Sequence, residues 1–145
     1  MFEKLFLLVK NNAGTAVIDN PVIAAKDRDA VIIEASSSII EVLKNQMENG
    51  KLNDLIKFFK YSGIYSTALV SSVVNRFANK LNKFYGIEPE AAHNTAEMLI
   101  PNVLQQLLFQ SKSGEEAEFA VGNILSNLNG NRADLGPLVN SLMVA

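Results

Sequence analysis

The stretch LVSSVVNRFANKLNKFYGIEPEAAHNTAEMLIPNVLQQLL (residues 69–108) decides the fold. Leu69, Val70, Val73, Val74, Phe77, Leu81 and Phe84 recur every three or four residues, which places them on one stripe of an α-helix. Ser66 or Thr67 stands where an N-cap is needed, and Gly86 stands where the chain must leave the helix. Pro89 suits the first turn of a second helix, because the N–H it lacks has no partner there anyway. That helix buries Ala92, Ala96, Leu99, Ile100, Val103, Leu104 and Leu107, and Pro101 inside it predicts a kink or a split in two. The β-branched residues at 69–74, like those at 31–33, also suit a strand, but the helical spacing on either side decides against it.

Working towards the N-terminus, the same punctuation repeats. Asp27 or Asp29 is expected to open a long helix with a stripe of Ile32, Ile33, Ile39, Ile40, Leu43 and Met47, closed by a left-handed Gly50. Asn53 is expected to cap a short helix carrying Leu55, Ile56, Phe58 and Phe59, ended by Gly63. Phe2, Leu5, Phe6 and Val9 mark a first helix that residues 11–14 stop, and Asn20-Pro21 marks a turn. Towards the C-terminus, Gly114 separates a helix with Val121, Ile124, Leu125 and Leu128 from a last one starting at Pro137. Ala35, Ile39, Val42, Leu43 and Met47 lie a constant 61 residues before Ala96, Ile100, Val103, Leu104 and Leu108. A duplicated helical hairpin produces such an echo, and so do two unrelated amphipathic helices.

The expected fold is therefore all-α, one domain over residues 1–145 with six or seven short helices, residues 1–14 serving as an association element. A length of 145 residues and an apolar fraction of 48% suit one domain with a real core. No Cys is present, which removes disulfides, thiolate zinc sites, iron–sulfur clusters and cysteine nucleophiles. A single His rules out a multi-His metal centre within one chain. The opening MFEKLFLLVKNNAG has only a five-residue apolar run at 5–9 with Glu3 ahead of it, too little for a secretory signal, so a cytoplasmic location without a membrane span is expected.

Little chemistry is written in the side chains. Glu90, His93 and Glu97 share an i, i+3, i+7 spacing, but a di-iron bundle needs two Glu-x-x-His elements and two further Glu, so a solvated helix flank is the simpler reading. A Ser-His-Asp triad would have to use His93, and no Gly-x-Ser-x-Gly elbow accompanies it. The run at residues 36–38 reads as a weakly polar helix face. Phosphate loops are absent, and no catalytic residue, cofactor or metal is assigned.

The opening segment, VIIEASSSIIEVLKNQMENGKLNDLIKFF (residues 31–59) and above all residues 69–108 resemble the YidB-like bacterial family, catalogued as domain of unknown function 937, in its Bacteroidota-type form. The core of the likeness is a Leu-rich helix ending in Phe-Tyr-Gly-Ile, then an Ala-rich helix running into Leu-Ile-Pro. What the resemblance implies is a helical fold and no established activity.

Charge and apolar excess carry the functional expectation. Residues 44–83 hold seven basic and two acidic side chains, whereas residues 84–145 hold two basic and seven acidic ones. Arg76, Lys80 and Lys83 follow i, i+4, i+7 and form a basic ridge; Glu115, Glu116 and Glu118 form the densest acidic segment. Phe2, Leu5, Leu7 and Leu8 surround most of the first helix, and Phe58, Phe59 and Tyr65 crowd a short one. These thirteen residues are the expected interface of a non-enzymatic, self-associating or protein-binding module that forms a closed oligomer, ring or filament. Two other functions compete. One is a carrier of an apolar small molecule or lipid between Phe77, Phe84, Ile100 and Leu104. The other is nucleic-acid binding through the 76–83 ridge, against which stand an acidic overall balance and the lack of any recognition motif.

Overall fold

The computed structural model describes residues 2–60, 66–113 and 119–128. They form α1 (Phe2–Asn11), a π-helical turn (Gly14–Ile18), a 3-10 turn (Ala25–Asp27), α2 (Arg28–Glu48), α3 (Leu52–Lys60), α4 (Ser66–Tyr85), α5 (Pro89–Ser113) and α6 (Val121–Leu128). The fold is all-helical, a single compact domain with no strand among the described residues. The helices expected to close at Gly63 and Gly114 and to start at Pro137 have those boundaries outside the described residues.

The two glycines assigned to helix ends act as the spacing requires. Gly50 has φ +73° and Gly86 φ +65°, the left-handed region that a side chain disfavours. Around Gly50, its own N–H bonds the Met47 carbonyl at 3.3 Å and the Lys51 N–H bonds Gln46 at 3.0 Å, the two bonds of a Schellman closure. Lys51 then accepts the first bond of α3 from the Leu55 N–H at 3.0 Å. One residue thus ends one helix and begins the next, so Asn53 lies inside α3 and not at its cap as expected. Likewise Pro101 neither ends nor splits α5, which runs unbroken for 25 residues.

The most extensive packing is between the antiparallel α4 and α5, and α2 packs on α4 and α1. Their shared core is built from Phe58, Phe59, Phe77, Ile32, Leu81, Leu99 and Ile100, all buried. Phe58 and Phe59 meet edge to face, with ring centroids 5.2 Å apart and planes at 74°, a geometry worth about 0.5–1.5 kcal/mol beyond the area buried. On α2 the stripe is rotated from its expected phase: Val31, Ala35 and Val42 are buried, Ile33 is exposed, and Ile40 and Met47 are only partly covered. Ser36 and Ser38 are buried too, their hydroxyls donating to the carbonyls of Ile32 (2.9 Å) and Glu34 (2.7 Å). Local bonding makes them small core residues and not a polar face.

Candidate functional site

The expected interface residues divide sharply. Leu5, Leu8, Phe58 and Phe59 are core residues, so four of the side chains assigned to an association surface are already covered within the chain. α3 buries one wide face, Leu55, Ile56, Phe58 and Phe59, and leaves Asn53, Asp54 and Lys57 exposed; adjacent Phe58 and Phe59 both fall within the covered sector. Phe2 and Leu7 stay exposed on α1. Tyr65, Glu115, Glu116 and Glu118 lie outside the described residues.

Two cations of the basic ridge share one carboxylate within the chain. Glu41 on α2 accepts hydrogen bonds from Arg76 Nη1 (3.2 Å) and from Lys80 Nζ, tying α2 to α4. Partial burial pushes the Glu41 carboxyl up, but the hydrogen bond and charge of Lys80, then those of Arg76, outweigh it and hold the group below its ordinary value. Of the ridge, Lys83 is left exposed with no ion pair among the described residues. It stands beside Phe84, which is 68% exposed and not part of the buried stripe as its spacing suggested. Phe77, Ile100 and Leu104 are packed in the core while Phe84 points to solvent, so the four do not line one common cavity.

His93 Nε2 lies 3.0 Å from the Glu97 carboxylate, and among the described residues no group of three His, Asp or Glu converges as metal ligands. That pair sits on an open groove of about 310 Å³ between α4 and α5, together with Asn75 and Pro101.

Two further large apolar side chains face water on α5. Met98 is 44% exposed and Phe109 62%. With Asn102 and Gln105, both exposed, they follow the spacing 4, 3, 4 and occupy a sector of about 60° on the helix. No charged residue occurs between Glu97 and Lys112. At its N-terminal end the strip runs into a groove of about 310 Å³ lined by Thr15, Asp19, Val22, Ala91, Asn94 and Met98. Asn20 fixes the far wall of this groove: its Nδ2 donates to Thr95 Oγ1 on α5 and to the Ala16 carbonyl, each at 2.9 Å, and its Oδ1 accepts from the Val22 N–H at 3.1 Å. The strip itself offers contact, with amides and soft apolar groups, and the exposed Asp19 carboxylate stands on the groove at its end. Charge depletion with aromatic and Met enrichment is the composition of an interface core. Reading the sequence for basic and acidic halves passed over it, although the uncharged run at 98–111 was there to be seen.

No family model, curated protein or solved structure matches the chain. Among the described residues no helix is long and apolar enough to cross a membrane.

Proposed function

We propose that this chain is a non-enzymatic helical module that self-associates in the cytoplasm, and that its contact surface is the outer face of α5. The observation that carries this reading is the uncharged strip of Met98, Asn102, Gln105 and Phe109, exposed on the longest helix of the domain. Covering an apolar side chain of this size contributes about 1.5–3 kcal/mol, and the strip from Met98 to Phe109 carries no charge that would have to be stripped of water. A YidB-like affiliation belongs to the same proposal; it rests on the apolar pattern of residues 69–108 and implies a helical fold without assigned chemistry.

The chain contains four methionines, so their methyl signals serve as reporters. On concentrating the protein, the Met98 methyl resonance is expected to shift while that of Met47, packed against the core, stays in place. A Met98 signal that does not move while the particle mass rises places the contact elsewhere and overturns the proposal.

A further inference from the structure

The strip on α5 reads the same in both directions: an apolar residue, two amides and an apolar residue, at spacings of 4, 3 and 4. We propose, building on the association reading, that the occupant of this face is a second copy of the chain, docked antiparallel about a two-fold axis between Asn102 and Gln105. In that arrangement residue 98 of one copy faces residue 109 of the other, and 102 faces 105. Each Phe109 enters the partner's groove between Val22 and Met98, where the Met sulfur meets the ring edge. This fit is reciprocal, because the knob and the groove lie on one face about 16 Å apart along the helix.

Polar and charged groups agree with the same register. Asn102 already donates its Nδ2 to the Met98 carbonyl at 3.1 Å, which leaves Oδ1 to accept from the partner's Gln105. Gln105 has no bond among the described residues. Glu97 and Lys112 bracket the strip on one side of the helix, and the two-fold brings Glu97 of each copy within side-chain reach of the partner's Lys112. Lys112 is exposed and unpaired among the described residues, and Glu97 has only His93 beside it. A parallel pairing fails on the same residues: it sets Phe109 against Phe109 and leaves both grooves open. Because each strip is fully used by one partner, the assembly closes as a dimer and does not grow into a ring or filament.

The chain has no cysteine, so an introduced thiol reports its neighbours without interference. Met98→Cys protein mixed with Phe109→Cys protein is expected to form a mixed disulfide under mild oxidation, while neither variant alone forms one. The mixed pair retains one native Phe109–Met98 contact. A disulfide in either variant alone, or none in the mixture while the wild type is dimeric, overturns the antiparallel geometry but leaves self-association through α5 standing. A wild type that stays monomeric overturns both. Charge exchange gives a second measure: Glu97→Lys and Lys112→Glu should each raise the dimer dissociation constant about 5-fold, and the double exchange should restore it. Equal effects from the single and double exchanges count against the two-fold. Phe109→Ala, acting twice per dimer, should raise that constant about 100-fold.

Discussion

Glu41 shows what one residue can do for this fold, since it collects two cations of α4 and fastens α2 to it. Its pairing was not legible in the sequence, because Arg76 and Lys80 lie 35 and 39 residues away and no local rule connects them. With the folded carboxyl held below 4.5, its contribution to stability is present above that pH and fades as pH falls through the lowered value. Glu41 and Arg76 are partly exposed, so solvent screening limits the effect to about 0.5–1 kcal/mol. Chemical denaturation at pH 7 should show Glu41→Gln less stable than wild type by that amount, and the difference should shrink as the pH is taken progressively below 4.5. The aromatic residues separate by role in the same way. Phe58→Ala should cost about 3–5 kcal/mol in unfolding experiments through the cavity it leaves, with assembly of the folded protein unchanged. Phe109→Ala should do the reverse, leaving the denaturation midpoint of the monomer within about 0.5 kcal/mol of wild type.

At the scale of the helices, most of the architecture was readable. Gly50, Gly86 and Pro89 mark ends and starts chemically, and the apolar spacing between them admits few alternatives to α2, α4 and α5. Side-chain phase was harder to read. Ile33 and Phe84 fit the apolar rhythm of their helices yet face solvent, because a stripe has no sharp edge and the neighbouring helices decide how wide a sector they cover. The π-helical turn at Gly14–Ile18 had no local signature either; its surroundings are fixed by Asn20 reaching Thr95, 75 residues on. Gly86→Ala tests the left-handed closure between α4 and α5. Nothing crowds a methyl group there, so the loss expected in thermal unfolding, about 1–2 kcal/mol, is purely the backbone's.

For the molecule as a whole, the exposed apolar surface was only half legible. An excess of apolar side chains over what the core can hold was anticipated from the first and third helices; Phe2 and Leu7 of the first do remain exposed, together with Phe84, Met98 and Phe109, which were not anticipated. Sequence reading weighed how apolar each segment is; folding selects which apolar residues are left over, and that depends on packing partners distant in the chain. The ion pairs are set at the same long range, Arg76 and Lys80 both meeting Glu41. Association through an uncharged strip should therefore depend weakly on salt, changing less than about 3-fold between 50 and 500 mM, because only the flanking Glu97 and Lys112 are screened. The most direct test is sedimentation equilibrium over a wide range of loading concentrations, with wild type beside Phe109→Glu. A wild-type mass rising from 15.8 kDa to a plateau at twice that value, with the variant fixed at the monomer, is the outcome predicted here. A wild type that remains at 15.8 kDa throughout, or a variant that assembles as readily as its parent, contradicts it.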